Sequence, residues 1–285
     1  MPYACIPALV SLLTIVPTNT RFISHINTNN SMKSRLLLFT TLLVAPLSHA
    51  ADGPLREKAL ALSASNKDSV LFLSAVVEIE VTAGDKPSKK EERKLEMLGT
   101  VIGKDGLIVV ALSTLDVAST IDGRMVNGPQ GPIKLAAKGT TKEVKILMPD
   151  GTETEAKVAF KDTDLDLAFI RPEKPEEVKL TAVDTGNSAK MSLMDDVIVL
   201  GRLGKDLGRE SVVMTGEVIS LVTKPRTFGK IGTQSLGMPV FNKEGKFLGI
   251  GINRFGPKAD AEGAPTPSNV ILPAADLLES AAQAK

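Results

Sequence analysis

The chain has 285 residues, of which 43% are hydrophobic and 24% are charged, and its formal net charge at pH 7 is +1. This composition is ordinary for a globular protein and excludes a chain that is disordered throughout. The balanced charge also lacks the basic excess that is typical of nucleic-acid-binding domains.

The N-terminal region predicts a secretory signal peptide. Lys33 and Arg35 precede the apolar run LLLFTTLLVAPL, and the small residues Ser48 and Ala50 frame a typical cleavage site. We therefore expect export to the periplasm or the extracellular space, with cleavage between Ala50 and Ala51. No membrane span is expected after the signal is removed, because no later apolar run is long enough.

The late position of this signal bears on where the protein begins. A signal peptide over residues 32–50 predicts that Met32 is the initiator and that residues 1–31 are an over-extended N-terminus. The alternative is a start at Met1 with a genuine extension ahead of the signal, and the sequence leaves both open.

Cleavage of the signal peptide would remove every cysteine, histidine and tyrosine of the chain. The only cysteine is Cys5, the only tyrosine is Tyr3, and the histidines are His25 and His49; the chain has no tryptophan. The mature chain would thus lack disulfides and the usual ligands of zinc and copper. It would carry 31 basic and 33 acidic side chains, a net charge of −2, which is no electrostatic attraction for nucleic acid.

In chain order, the mature region begins with a short predicted helix and continues mostly as strands. Apolar alternation and turn residues such as GKDG and MPDG predict successive β-hairpins. The predicted elements are a helix at 53–66, a strand at 69–81, a charged loop at 83–94, a hairpin at 95–112, a Gly/Pro loop at 122–132, a second hairpin at 142–162 and a buried strand at 165–172.

A proline-rich linker, RPEKPEEVKL, separates two similar halves. Strands follow in DDVIVLGRLG, SVVMTGEVISLV, PVFNKEGKFLGIGI and SNVILP, and Pro273 begins a C-terminal helix with Asp276 in its first turn. Many short strands at regular spacing predict an all-β barrel or sandwich architecture. The predicted divisions are a lead segment at 51–68, a first β-barrel at 69–177, and a second β-barrel with the C-terminal helix at 178–285.

Four stretches, in this order, resemble a known family. LGTVIGKDGLIVVALSTLD is similar to a strand pair that carries a catalytic histidine, and VKILMPDGTETEAKVAFKDTDLDLAFIR to a hairpin followed by the catalytic aspartate. DDVIVLGRLGKDLGRESVVMTGEVIS and SLGMPVFNKEGKFLGI resemble the motifs G-D-x-V-x-A-I-G and G-N-S-G-G-P-L. The family is the chymotrypsin-fold, or trypsin-like, serine proteases of bacteria, especially the HtrA type, and we expect this chain to lack the PDZ domain that is usual in that type.

This resemblance implies two six-stranded antiparallel β-barrels with a catalytic cleft between them. It also implies positions for the triad in which a serine attacks, a histidine takes its proton and an aspartate orients the histidine. Those positions fall on Ser113 for the histidine, Asp166 for the aspartate and, when Pro239 is aligned, Leu236 for the serine. Only the aspartate matches the family. Ser113 cannot replace the histidine, because a serine hydroxyl does not act as a base near neutral pH.

The motif around the nucleophile departs from the family in two further ways. Met238 replaces a glycine that lets the backbone N–H groups face the oxyanion. The segment before this motif is also about six residues shorter than in the family, which shortens a wall of the specificity pocket.

A different alignment of this motif is also possible. A slip of one residue would make Ser235 the nucleophile, and a lysine such as Lys230 or Lys243 would then have to act as the base.

Cofactor and metal motifs are absent from the sequence. GRLGKDLG does not have the spacing of a phosphate-binding loop, and the alternating acids of residues 162–166 lack the glycine and closing glutamate of a calcium loop. We therefore expect no cofactor and no metal site.

The sequence favours an exported, catalytically inactive pseudoprotease domain whose partner is an extended peptide or a protein. Such a partner would bind in the cleft by strand addition. Two alternatives stay open: an active serine endopeptidase with a rearranged site, using Ser235 and a lysine base, and a structural subunit of an envelope assembly. The sequence does not identify the partner or the oligomeric state.

Overall fold

The structure is a computed structural model that describes residues 53–128, 131–255 and 267–284. The predicted signal peptide and the residues before it lie outside this described part of the chain. The helices and strands are α1 (Gly53–Asn66), β1 (Val70–Ala83), β2 (Lys89–Val101), β3 (Ile108–Ala111), α2 (Leu112–Leu115), β4 (Met125–Gly128), β5 (Gly131–Leu147), β6 (Glu153–Asp162), β7 (Leu167–Pro172), β8 (Asp196–Arg202), β9 (Ser211–Val222), β10 (Phe228–Ile231), β11 (Pro239–Asn242), β12 (Phe247–Arg254), β13 (Ser268–Pro273) and α3 (Ala274–Ala281).

The first half of the chain forms a closed antiparallel β-barrel. Its strands follow the order β1-β2-β3-β7-β6-β5, and the barrel closes because β1 also pairs with β5. Strand β4 pairs with β5 alone and extends the sheet at one edge. The strands of this barrel extend from Val70 in β1 to Pro172 in β7.

The second half forms a closed barrel in the order β10-β13-β12-β11-β8-β9, with β9 pairing back to β10. The turn NKEG joins β11 to β12, where the Asn242 carboxamide oxygen accepts hydrogen bonds from the N–H groups of Glu244 (3.1 Å) and Lys246 (2.8 Å). The prediction of an all-β fold with two six-stranded antiparallel barrels and a C-terminal helix is confirmed.

Strands buried on both faces explain the continuous apolar runs in the sequence. In β7, Leu167 and Phe169 point into a core shared by both barrels, whereas Ala168 and Ile170 point into the interior of the first barrel. Strand β8 divides its side chains in the same way between the shared core and the interior of the second barrel. The period of two along a strand therefore produces both barrel interiors and the interface between them.

Polar contacts add to this apolar interface. The guanidinium of Arg202 in β8 donates to the carbonyl oxygens of Lys67 and Val70 at the start of the first barrel. The C-terminal segment crosses back as well, since the Ser280 hydroxyl donates to the Asp162 carboxylate at 2.7 Å. Helix α3 thus connects the end of the second barrel to the first.

Two predicted loops are wrong in part. Residues 89–94 of the charged stretch belong to β2, because each pairs with the long strand β1 in unbroken register. In the predicted Gly/Pro loop, residues 125–128 form β4 and strand β5 already begins at Gly131. The exposed charged residues 89–94 are compatible with a strand at a sheet edge, so composition alone did not distinguish this strand from a loop.

No helix within the described ranges is both long and apolar enough to cross a membrane.

Candidate functional site

The two triad-equivalent positions of the first barrel lie side by side. Ser113 is in the short helical turn α2, directly after β3, and Asp166 is in the turn between β6 and β7. The Asp166 carbonyl oxygen accepts a hydrogen bond from the Leu112 N–H at 2.8 Å. Asp166 has a left-handed backbone (φ 56°), which aspartate tolerates better than most residues, and this turn directs its carboxylate at α2.

The Asp166 carboxylate accepts three hydrogen bonds. One oxygen accepts from the Ser113 N–H at 2.6 Å. The other accepts from the Ser113 hydroxyl at 3.0 Å and from the Asn253 N–H of β12 at 2.7 Å. The Asn253 carboxamide also donates to the Ser113 hydroxyl at 3.0 Å. Ser113, Asp166 and Asn253 therefore form a closed network that joins the two barrels, and we call it the inter-barrel network.

Burial dominates the electrostatics of this network. Burial raises the pKa of the Asp166 carboxyl from its ordinary 3.8 to about 6, and the hydrogen bonds from Asn253 and Ser113 oppose that shift only partly. The carboxyl is thus mainly ionised at neutral pH, and its charge is balanced by hydrogen-bond donors rather than by a cation.

This pKa predicts a pH dependence of stability. The folded protein binds a proton at Asp166 more tightly than the unfolded chain does. The contribution of this carboxyl to the free energy of unfolding is therefore largest below about pH 4 and is lost as the pH rises through about 6. Relative to Asp166→Asn, which does not titrate, the wild-type free energy of unfolding should fall by about 2 kcal/mol between pH 4 and pH 7.

Denaturant unfolding of both proteins at each pH measures this difference, because the titrations of all other groups cancel. Asp164→Asn removes an exposed carboxyl from the same turn and controls for the loss of one charge. A wild-type free energy of unfolding that, relative to Asp166→Asn, stays constant or rises with pH would contradict the raised pKa of Asp166.

Ser235 is fully buried and its polar groups are occupied. Its N–H and its hydroxyl both donate to the carboxamide oxygen of Asn269 in β13, at 3.0 and 3.2 Å. The Asn269 amide group donates in turn to the Ile252 carbonyl oxygen at 3.1 Å. A nucleophile needs an accessible hydroxyl beside a base, whereas the Ser235 hydroxyl is buried and, among the described residues, donates to the Asn269 carboxamide oxygen.

The two lysines considered as bases have other partners in the described part of the chain. The Lys230 ammonium donates to the Asn269 carbonyl oxygen at 2.8 Å, and the Lys243 ammonium is 4.0 Å from the Asp196 carboxylate. Within the described residues neither lysine forms a hydrogen bond with Ser235. The geometry therefore does not favour a serine–lysine dyad.

The residues after Ser235 form a tight turn that packs on the first barrel. The Met238 N–H donates to the Ser235 carbonyl oxygen at 2.8 Å, and the Gly237 N–H donates to the Gly251 carbonyl oxygen at 2.9 Å. Both N–H groups are thus bonded within the protein. Leu236, the position aligned with the family nucleophile, is half-buried and forms a bridge with Gly251.

The structure does not join all the positions that the resemblance assigned. Ser113 and Asp166 share the inter-barrel network, whereas no hydrogen bond within the described ranges connects either of them to Ser235 or Leu236. Sequence reasoning missed Asn253 and Asn269, which are register partners on β12 and β13. The signal for both was an asparagine next to an apolar strand run, in GIGIN and SNVIL.

No group of three or more histidine, cysteine, aspartate or glutamate side chains in the described ranges is placed to hold a metal ion. Asp162, one of the alternating acids, is instead used to accept hydrogen bonds from the Leu165 N–H (3.1 Å) and the Ser280 hydroxyl.

Two closed six-stranded antiparallel barrels followed by a C-terminal helix define the class of trypsin-fold proteins. The model of the trypsin-like peptidase domain family matches residues 98–250, and the chain belongs to that family.

Several known proteins are similar to this chain. The serine protease Do-like HtrA of Bacillus subtilis (strain 168) is 30% identical over 155 residues, covering 49% of this chain and 34% of the relative. The chain therefore spans about a third of that relative's length. Among solved structures, the HtrA-type protease AlgW with a tripeptide is 13% identical, covers 78% of this chain and 61% of its own, and has a TM-score of 0.48. The MamO protease domain from Magnetospirillum magneticum is 15% identical, and the match covers 75% of this chain and 96% of the MamO chain with a TM-score of 0.46.

Proposed function

We propose that this protein is an exported trypsin-like domain that binds an extended peptide or protein segment between its barrels without cleaving it. The observation that carries the proposal is the inter-barrel network. At the position where the family needs a base, Ser113 has its hydroxyl bonded to both Asp166 and Asn253. Since residues 51–285 contain no histidine, no other imidazole of the barrels can replace it.

The state of the nucleophile position supports the same proposal. Leu236 carries no nucleophilic atom, and the Ser235 hydroxyl is buried against Asn269. Loss of a triad serine or histidine lowers the catalytic rate constant of a serine protease roughly a millionfold. Binding by strand addition depends on backbone N–H and C=O groups instead, so it does not require the triad side chains.

An active-site-directed fluorophosphonate tests the catalytic part of the proposal. The purified protein should remain unlabelled and should not hydrolyse peptide substrates, because no base activates a serine. An active protease of the family, treated in parallel, is the positive control. Labelling that disappears in Ser235→Ala would overturn the proposal and support the rearranged endopeptidase.

An array of extended peptides tests the binding part. Peptides that bind by strand addition should lose about tenfold or more in affinity, roughly 1.4 kcal/mol, when alternate backbone nitrogens are methylated, because those N–H groups form the added ladder. Binding that is insensitive to methylation would contradict strand addition. If no peptide binds, the protein is better explained as a structural subunit of an envelope assembly.

A further inference from the structure

An exposed apolar patch lies on the second barrel, in the turn before β8 and on the neighbouring strand β9. It consists of Leu193, Met194 and Ile219, which are 56%, 64% and 54% exposed, and we call it the turn patch. The Met194 N–H donates to the Val218 carbonyl oxygen at 2.9 Å, so the turn that carries Leu193 and Met194 lies beside Ile219.

The backbone of this turn is unfavourable for the residue that it carries. The Asp195 N–H donates to the Ser192 carbonyl oxygen at 3.2 Å, and the Asp195 carboxylate accepts from the Ser192 N–H at 2.7 Å. Between them, Met194 has a left-handed conformation (φ 67°) that glycine or asparagine adopts at lower cost. A large apolar side chain in this position is neither buried nor suited to the backbone, and such features cluster at functional sites.

A β-bulge in strand β9 is the second irregular feature of the patch, and it includes Ile219. The register between β9 and β10 shifts next to it, so that Ser220 pairs with Lys230 and Val218 with Ile231, which leaves Ile219 without a partner on β10. Bulges of this kind redirect a side chain relative to the sheet. Two independent backbone features thus place apolar side chains at one surface.

The rim of the turn patch is acidic. Asp195 follows Met194 directly, and Asp196 pairs across the ladder with the exposed Glu217. Lys243 lies 4.0 Å from Asp196, whereas Asp195 and Glu217 form no ion pair within the described ranges. Two copies facing each other through this patch would bring acids against acids, which disfavours a symmetric dimer.

We infer that the turn patch is a docking surface for a second protein, which packs large apolar side chains, flanked by lysine or arginine, against it. The apolar centre and charged rim are the usual arrangement of a protein–protein interface. This inference is independent of the proposed function, because no residue of the inter-barrel network contributes to the patch.

Two fluorescein-labelled peptides test the inference with the full chain. Both contain Leu-Phe-Leu, flanked on each side by two lysines in one peptide and by two glutamates in the other. By fluorescence anisotropy the lysine-flanked peptide should bind at least about tenfold more tightly, and the preference should shrink in about 0.5 M salt, where charges are screened within a few ångströms.

Variants then assign the binding to the patch. Met194→Asn should weaken binding of the lysine-flanked peptide by about fivefold or more, while its denaturation midpoint stays unchanged or rises because asparagine fits the left-handed backbone. Met125→Asn is the matched control, since Met125 is an exposed methionine of β4 in the other barrel. Glu217→Gln should reduce the preference for lysine flanks.

Three results would overturn the inference. Equal affinity for both peptides would show that the acidic rim selects nothing. Unchanged binding by Met194→Asn would place the peptide elsewhere. Self-association in sedimentation velocity that Met194→Asn abolishes would show that a second copy of this chain covers the patch. Because the comparison of wild type with Met194→Asn reports on the patch and not on the cleft, none of these results decides the proposed function.

Discussion

Replacing Gly237 with alanine should lower the free energy of unfolding by about 3 kcal/mol or more. A methyl group at this position would lie 2.0 Å from the carbonyl oxygen of Leu98 in β2, so the two barrels would have to separate locally. The left-handed backbone (φ 70°) costs an alanine roughly 1–2 kcal/mol. The same movement would break the buried bond from the Thr100 hydroxyl to the Gly237 carbonyl oxygen, 2.7 Å long, which adds about 1–3 kcal/mol.

Gly232→Ala is the matched control for this prediction. It lies in the same segment, is exposed, and a methyl group there would have no atom within 4 Å. Its stability should change by less than about 1 kcal/mol. Denaturation followed by far-ultraviolet circular dichroism is the suitable measurement, because residues 51–285 contain neither tyrosine nor tryptophan. Similar midpoints for the two variants would show that the turn does not rest on Leu98.

Replacing Asn269 with alanine should destabilise the protein by about 2–3 kcal/mol and loosen the segment around Ser235. The Asn269 carboxamide oxygen is the acceptor for both the N–H and the hydroxyl of Ser235, which has no exposed surface. Buried donors without a partner cost about 1–3 kcal/mol each. Hydrogen exchange at the Ser235 amide should accelerate by at least about tenfold, the equivalent of roughly 1.4 kcal/mol.

Ser235→Ala separates the two bonds. It removes the hydroxyl but keeps the N–H bond to Asn269, so its cost should be about 1 kcal/mol or less. The double variant should be less destabilised than the sum of the single ones, because the two residues share partners. An unchanged rate of hydrogen exchange at the Ser235 amide in Asn269→Ala would show that Asn269 does not stabilise this segment. Fluorophosphonate labelling should stay absent even in this variant, because loosening the segment supplies no base.

Most of the fold could be predicted from local sequence patterns. Apolar alternation and turn residues act over a few positions, so the hairpins at 95–112 and 142–162 and the helix after Pro273 could be predicted without tertiary information. Residues 89–94 could not, because their strand exists only through pairing with the long β1. The charged side chains indicated exposure correctly, and exposure is not specific to loops.

The candidate site could likewise be predicted only in part from the sequence. The sequence by itself determined which chemistry is missing: a side chain that is absent from the barrels, such as histidine, cannot be supplied by folding. The tertiary structure decided what the remaining groups do, because their partners are distant in the chain. Asp166 meets Ser113 across 53 residues and Asn253 across 87, and Ser235 meets Asn269 across 34. These pairings arise where the barrels close and pack, so burial and barrel register, rather than local sequence, made Asp166 a link between the barrels.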